Sequence, residues 1–246
     1  MQTLIDFHSH ILPGVDDGSR SVAESIEMLR MEAAQGVGHV LATPHFYAQS
    51  DSLRRFFARR AAAMDELQRA ADGCEGLPTV ELGAEVHYFA GMSDSEVLSQ
   101  LTIGGKECIL IEMPPSPWTE QMYRELEWIY TKQGLVPVIA HLDRYIGPFV
   151  NYRIPQRLAE LPVVVQANAS FFLSRSTQKL AVRMLRKGQI HVLGSDCHNL
   201  TDRPPNLDKA LRVIKQRLGN EIGNQILERM GRQAEEILGL DRPSRA

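Results

Sequence analysis

Residues 3–8 read TLIDFH, a short apolar run that ends in a histidine. Six further runs rich in Val, Ile and Leu follow it: GHVLAT (38–43), TVELGAEV (79–86), ECILIE (107–112), VPVIAH (136–141), VVVQAN (163–168) and IHVLGS (190–195). Their length and β-branched content predict buried strands, which are apolar throughout because both faces of the sheet are covered.

Segments with helical signals separate these runs. Residues 21–36 begin at Ser21, a preferred N-cap residue, and end at Gly36, a preferred terminator. Similar character is found in residues 51–72, 119–133, 175–188 and 205–218, and residues 221–240 are expected to form a terminal helix packed outside. Seven strands separated by helices predict a parallel sheet closed into a barrel, with a doubly wound open sheet as the alternative.

Length, charge and cysteine content restrict the class of protein. With 246 residues, 43% of them apolar, the chain is expected to form one domain over residues 1–246. The formal charge of −3 disfavours nucleic acid as the main partner. Three cysteines with no close pair are typical of reduced thiols, and the sequence has neither a signal peptide nor an apolar stretch long enough to span a bilayer. We therefore expect a soluble, cytoplasmic domain without membrane insertion.

Six of the seven predicted strands are followed by side chains that bind metals, and the sixth strand ends at Asn168. These side chains are His8, His10, Asp17, His45, Glu85, Glu112, His141, Asp196 and His198. In a β/α barrel the carboxyl ends of the strands meet at one face. Carboxylates gathered there would repel each other and take up protons unless a cation neutralised them. Imidazole and carboxylate ligands suit Zn, Fe or Mn, and so many groups imply two or three ions.

Two arginines follow proposed ligands closely in sequence. Arg144 lies in HLDRY (141–145) and Arg203 in HNLTDRPP (198–205). Each could clamp a phosphate over the metals with its planar guanidinium group, whereas a surface salt bridge would contribute little. Asp143 and Asp202 are expected to orient these two arginines.

The remaining histidines and one cysteine fall outside this pattern. We expect ordinary surface or core roles for His39, His87 and His191. Cys197 stands between two proposed ligands, and a buried structural thiol is the favoured interpretation.

Several motifs together resemble the PHP (polymerase and histidinol phosphatase) superfamily. The motifs are DFHSHILPGVDDGS (6–19), TPHF (43–46), GAEVHY (83–88), IEMP (111–114), PVIAHLDRY (137–145) and GSDCHNLTDRPP (194–205). They look most like its bacterial protein-tyrosine phosphatase branch, the CpsB/CapC/YwqE-type enzymes of capsule and exopolysaccharide clusters. The resemblance extends from His8 to about Pro205.

This resemblance implies a distorted (β/α)7 barrel with outer helices and a site for two to three divalent ions, commonly manganese, with iron or zinc as alternatives. The first ion would be held by His8, His10, Glu85 and Asp196, the second by Glu85, Glu112 and His141, and the third by Asp17, His45 and His198. Asp17 is preferred to Asp16 as a ligand because it directly precedes the motif glycine, and Asp16 is expected to be a supporting or turn residue. Arg144 and Arg203 match the family's arginines for the substrate phosphate.

The implied reaction is hydrolysis of phosphotyrosine by a metal-activated hydroxide. A bacterial tyrosine kinase of capsule or exopolysaccharide synthesis would be the substrate. A small-molecule phosphatase of histidinol-phosphate type, or a non-catalytic metal-bound regulatory module, remains the alternative. A covalent cysteine mechanism is disfavoured because Cys108 has no arginine at the spacing that thiol-based tyrosine phosphatases require.

Overall fold

The computed structural model describes residues 4–146 and 153–240, so that Thr3 of the first predicted strand lies outside the described residues. Nine strands occur in these ranges. They are β1 (Leu4–Ser9), β2 (Val37–Ala42), β3 (His45–Phe46), β4 (Thr79–Leu82), β5 (Glu85–His87), β6 (Cys108–Glu112), β7 (Val136–Ile139), β8 (Val164–Asn168) and β9 (Val192–Gly194). The mixed α/β class and the parallel arrangement expected from the sequence are both present.

The strands form one curled parallel sheet made of two hydrogen-bonded sets. Their orders are β1-β2-β4 and β3-β5-β6-β7-β8-β9, and every pairing is parallel. The two sets adjoin where the amide of Gly83 donates to Ala42 O at 2.8 Å. On the other side, β1 lies against the segment after β9, because the His10 amide donates to Cys197 O at 2.9 Å.

The third predicted strand, residues 79–86, is divided in the structure. β4 pairs with β2, and β5 pairs with β3 and β6. The chain changes set at Gly83, where an added Cβ would lie 3.1 Å from Ile103 and 3.2 Å from Thr43. The two-residue strand β3 is too short to give any period-2 pattern, so the sequence analysis did not predict it.

Eight α-helices lie in the described ranges, and most agree with the predicted segments to within two or three residues. They are α1 (Val22–Ala34), α2 (Leu53–Ala71), α3 (Glu120–Gln133), α4 (Arg153–Leu158), α5 (Ala169–Leu173), α6 (Gln178–Arg186), α7 (Leu207–Leu218) and α8 (Asn220–Ile237). Ser21, Ser52 and Thr119 cap the first three helices through their side-chain oxygens. The one-turn helices α4 and α5 were not predicted. No helix in the described part of the chain is long and apolar enough to cross a membrane.

An inner hydrophobic cluster fills the curl of the sheet beneath the carboxyl ends of the strands. Alternate residues of several strands contribute to it, and Ala234 and Leu238 at the end of α8 pack against it. The strand residues are Ile5, Phe7, Leu41, Cys108, Leu110, Val138, Val164 and Val192. Because alternate side chains of a strand point to the same face, Glu112 of β6 and Gln166 and Asn168 of β8 lie on the same face as this cluster, nearer the carboxyl ends. The apolar floor thus gives way to polar groups at one end of the sheet.

Candidate metal centre

The end of β1 brings two buried imidazoles against two carboxylates. Nε2 of His8 and Nε2 of His10 lie 3.0 Å apart. Both face Oε2 of Glu85, at 3.3 and 3.4 Å. Both also lie near Oδ1 of Asp196, at 3.7 and 3.5 Å. These are the four residues expected at the first ion.

Glu85 reaches a second group of residues through its other oxygen. Nε2 of His141 lies 2.7 Å from Oε1 of Glu85 and 3.5 Å from Oε1 of Glu112. The two oxygens of Glu85 therefore point to different neighbours. This arrangement fits the bridging position that the resemblance implies for Glu85.

The third group lies towards solvent. Oδ1 of Asp17 is 3.5 Å from Nε2 of His45 and 3.6 Å from Nε2 of His198. Asp17 is 67% exposed, whereas His198 is buried. His45 has a further contact that was not anticipated, because its Nδ1 lies 2.9 Å from Oε2 of Glu85. His45 therefore connects the outer group with the buried one.

The donor atoms fit divalent cations. Five buried side-chain atoms of the cluster have no well-aligned hydrogen bond among the described residues: Nδ1 of His45, Oε2 of Glu85, Nδ1 of His141, Oδ1 of Asp196 and Nε2 of His198. Two of them, Nδ1 of His45 and Oε2 of Glu85, nevertheless lie 2.9 Å apart. Buried polar atoms without partners are costly. Ligands about 2.0–2.2 Å from one ion lie roughly 3–3.5 Å apart, which is the spacing of many of these atoms. Nitrogen and oxygen donors without sulfur suit Mn, Fe or Zn.

The pKa shifts in the cluster show that its carboxylates are stabilised by nearby positive charge. Burial opposes ionisation of Glu85, yet the charge of His8 and hydrogen bonds from His10 and His141 hold its pKa well below the usual range. Burial also disfavours the charged form of His141, but hydrogen bonds to Glu112 and Glu85 raise its pKa to about 9. The proton on His141 balances part of the carboxylate charge, and a bound cation would displace it.

His198 behaves differently from the other rings. Burial and the positive charge of His10 lower the pKa of His198 to about 4. The ring is therefore neutral at pH 7, which is the form that binds a metal.

Two proposed ligands have unusual backbone conformations. His141 and Asp196 adopt φ of 30° and 53°, and they alone among the described non-glycine residues have positive φ. Such a conformation costs of order 1–3 kcal/mol and persists where the surroundings impose it. The amide of Asp196 is held by the carbonyl of His8 at 2.8 Å. The strain therefore coincides with the strand ends that carry ligands.

Both predicted arginines meet at the same carboxylate. Nη2 of Arg144 and Nη2 of Arg203 lie 2.6 and 2.7 Å from Oδ2 of Asp196. Their side chains are 39% and 38% exposed, so they border the open side of the centre. Among the described residues neither Asp143 nor Asp202 forms an ion pair with these arginines, and Asp143 acts on Arg144 only through its charge. Asp143 instead accepts the amide of Asn168, and Asp202 lies in an exposed turn.

Asp16 supports the centre as a neighbour of a ligand. Its Oδ2 lies 2.7 Å from Nδ1 of His10 and accepts the amide of His45, while Oδ1 accepts the amide of Gly18. Residue 18 must be glycine because an added Cβ would lie 2.2 Å from the carbonyl oxygen of His10. The Asp-Asp-Gly motif thus fixes the ring orientation of His10.

Two further supporting residues were not recognised from the sequence. Oε1 of Gln166 accepts the amide of His141 at 2.5 Å and lies 3.4 Å from Nδ1 of His8, and its amide nitrogen donates to Asn168. Asn168 in turn donates to Asp196 at 2.8 Å. A signal was available, since these are the two polar positions of the otherwise apolar run VVVQAN.

His87 lies closer to the centre than expected. Its Nδ1 is 3.1 Å from Oε2 of Glu112, and its ring contacts that of Tyr47. His39 and His191 remain away from the centre, in hydrogen bonds with Glu81 and with the Val165 amide.

Two of the three cysteines are buried thiols. Cys108 and Cys197 are buried, and burial raises the pKa of Cys108 to about 12 and that of Cys197 well above its ordinary value. A buried thiol with a raised pKa is a poor nucleophile.

Comparisons with known proteins place this site in context. The sequence profile of the family described as "Capsular polysaccharide synthesis, CpsB/CapC" matches residues 4–237. The chain is 29% identical to tyrosine-protein phosphatase YwqE of Bacillus subtilis over 92% of this chain and 89% of that protein. It is 28% identical to tyrosine-protein phosphatase CpsB of Streptococcus pneumoniae over 88% of this chain and 91% of that protein.

A solved structure is similar in fold. It comes from work on YwqE from Bacillus subtilis and CpsB from Streptococcus pneumoniae, described as unique metal-dependent tyrosine phosphatases. The TM-score is 0.79 at 24% identity, with 92% of each chain covered.

Proposed function

Because this chain belongs to the CpsB/CapC family of capsular polysaccharide synthesis, we propose that it is a metal-dependent protein-tyrosine phosphatase. One observation carries the proposal: nitrogen and oxygen donors from separate strand ends converge at one end of the sheet, and two arginines border the open side. Both features suit a phosphate monoester, since metal ions and guanidinium groups neutralise its anionic oxygens and hold its phosphorus for in-line attack.

We propose that the donors hold two to three divalent ions, with manganese as the first choice and iron or zinc as alternatives. The proposed ligands are His8, His10, Glu85 and Asp196 for the first ion, Glu85, Glu112 and His141 for the second, and Asp17, His45 and His198 for the third. When bound, such ions lower the pKa of a coordinated water towards neutrality and neutralise phosphate charge.

The protein's own residues would bind and orient the substrate. Arg144 and Arg203 would turn their exposed N–H groups to the phosphoryl oxygens while Asp196 holds the two forks in place. Oε1 of Gln166 would accept the proton on Nδ1 of His8, so that the lone pair of Nε2 stays available to bind a metal ion. A tyrosine phenolate has a pKa near 10 and needs less protonation on leaving than an alkyl alcohol. Asp17 or His45 is a candidate general acid only if it is not fully engaged as a ligand of the third ion.

The natural substrate proposed is a phosphotyrosine protein, namely a bacterial tyrosine kinase of capsule or exopolysaccharide synthesis. Cytoplasmic location, a single domain over residues 1–246 and absence of nucleic-acid binding belong to the same proposal. We further propose that the curled sheet is a distorted (β/α)7 barrel of the PHP type. The hydrogen bond from the His10 amide to Cys197 O, which brings β1 against the segment after β9, supports this closure.

Turnover measurements test the proposal. The manganese-loaded enzyme should hydrolyse a phosphotyrosine peptide faster than histidinol phosphate, lose activity in chelator and regain it when Mn²⁺ is restored. Arg144→Ala and Arg203→Ala should each lower kcat/KM by roughly 10²–10³ while metal content is kept. The control is Arg30→Ala, which removes an exposed partner of Glu27 on α1.

Faster hydrolysis of histidinol phosphate would move the assignment to a small-molecule phosphatase. Unchanged turnover in Arg144→Ala or Arg203→Ala would contradict the proposed role of that arginine in binding the phosphate. A metal-loaded protein without turnover on either substrate would favour the regulatory module.

A further inference from the structure

A cleft opens beside the metal centre along the loop that follows β3. Its volume is about 510 Å³, within the range of ligand sites. Asp17 and His45 form the wall that it shares with the centre, and Tyr47 lines the next part. Arg55 and Arg59, both paired with Asp51, also line the cleft. A substrate could therefore extend from the metals along this cleft.

Tyr47 is an exposed aromatic residue in the wall of the cleft. Its side chain is 41% accessible, and it is one of four large apolar residues exposed in the described part of the chain. The others are Tyr130, Ile222 and Leu240, none of which lines this cleft. An exposed aromatic ring in a concave site is typical of ligand binding.

The ring of Tyr47 is held in place by two histidines. Its centroid lies 5.4 Å from that of His45 and 5.4 Å from that of His87, at interplanar angles of 32° and 45°. Both histidines are anchored in turn, His45 at Glu85 and His87 at Glu112. The ring is thus oriented before a ligand arrives, so that little rotamer entropy would be lost on binding.

We infer that Tyr47 forms the aryl subsite of this centre: it contacts the ring of a phosphorylated tyrosine and selects aryl over alkyl phosphates. This inference rests on the proposed function and names the side chain that sets the substrate class. The phenyl ring of phosphotyrosine is next to the phosphate, and Tyr47 is likewise next to the metal centre, since its ring lies beside that of the proposed ligand His45. Phosphoserine has no aromatic ring and could not make this contact with Tyr47.

Binding of two phosphonates that cannot be hydrolysed tests the inference without relying on turnover. Phenylphosphonate and methylphosphonate are titrated calorimetrically into the manganese-loaded wild type, Tyr47→Phe and Tyr47→Ala. We expect the phenyl compound to bind more tightly in the wild type and in Tyr47→Phe. Tyr47→Ala should reduce this preference roughly three- to tenfold, the usual contribution of an aromatic pair.

Tyr130→Ala is the matched control. Tyr130 is 45% exposed and lies in the last turn of α3, just before β7 begins, near the end of the sheet opposite the metal centre. Its removal should leave the phenyl preference unchanged.

The outcomes separate the two proposals. A wild type without phenyl preference, or a preference that survives Tyr47→Ala, overturns the aryl subsite. A preference that depends on Tyr47, together with a wild type that does not hydrolyse a phosphotyrosine peptide, supports the subsite and contradicts the phosphatase.

Discussion

Glu85 meets four imidazole rings with two carboxylate oxygens. Oε2 lies 3.3 Å from His8, 3.4 Å from His10 and 2.9 Å from His45, and Oε1 lies 2.7 Å from His141. An oxygen has two lone pairs, so Oε2 cannot accept good hydrogen bonds from three rings at once. Cations between these atoms would resolve the conflict, because each ring could then use a lone pair.

At the same scale, Asp16→Asn should weaken metal binding. The variant removes the charge that holds Nδ1 of His10, and loss of such a partner lowers metal affinity about 10–100-fold. Titration of the apoprotein with Mn²⁺ measures the effect directly.

Asp202→Asn serves as the control, since this carboxylate is exposed and lies in a turn near Arg203. Equal manganese affinity in the two variants would show that Asp16 only shapes its turn.

The candidate site was predicted from its donor types, and of its supporting residues only Asp16 was expected. His8 and His10 could be identified because each is a titratable residue at a strand end, a position that has chemical meaning in parallel folds. Gln166 and His87 act through hydrogen bonds to other side chains, and such partners depend on the spatial neighbours of a strand. Spacing along one chain does not contain that information.

At the scale of elements, long apolar runs were located well and short ones poorly. β6 and β8 differ from their predicted ranges by one residue at the amino end. The run 79–86 was read as one strand because its composition is continuous, although the chain steps between two sets at Gly83. Pairing partners decide where a strand ends, and composition does not record them.

The packing of α1 on β1 contains a buried pair of carboxyl groups. Asp6 accepts hydrogen bonds from the amide and hydroxyl of Ser195, whereas Oε2 of Glu32 has no partner among the described residues. Burial and the nearby charge of Asp6 raise the pKa of Glu32 to about 10, from 4.5. The folded protein therefore keeps a proton on Glu32 at neutral pH.

Glu32→Gln should be more stable than the wild type at high pH. Below about pH 4.5 both the folded and the unfolded wild type carry this proton, so its pKa shift costs nothing. Between pH 4.5 and 10 the unfolded chain releases the proton and the folded chain keeps it, so the wild type loses up to ~1.4 kcal/mol per pH unit.

Urea unfolding of chelated protein at pH 5 and pH 9 measures this. The difference between the two proteins should grow with pH, and other titrating groups cancel because both proteins share them. A constant difference would mean that Glu32 is ionised in the folded state.

For the whole molecule, removal of metal should lower thermal stability. The proposed ligands come from strands distributed over most of the chain, so an ion bound only to the folded state stabilises all of them together. At a free ion concentration 100 times the Kd the gain is about 2.7 kcal/mol, or roughly 5–10 °C in Tm for a chain of this size.

Calorimetry with and without chelator measures the shift, and Glu85→Gln should greatly reduce it. An unchanged Tm in chelator, with metal loss verified by elemental analysis, would contradict a site built from these strands.

The hydrogen bond from the His10 amide to Cys197 O joins two parts of the chain separated by 187 residues. On the ribosome, the first strand emerges long before its neighbour has been synthesised. Partial chains therefore carry exposed imidazoles and carboxylates without the pocket that would hold a cation firmly. A chain that ends before Cys197 lacks His198, and a shorter one also lacks Asp196 or the strand that carries it, so truncated products should bind a divalent cation more weakly than the full chain.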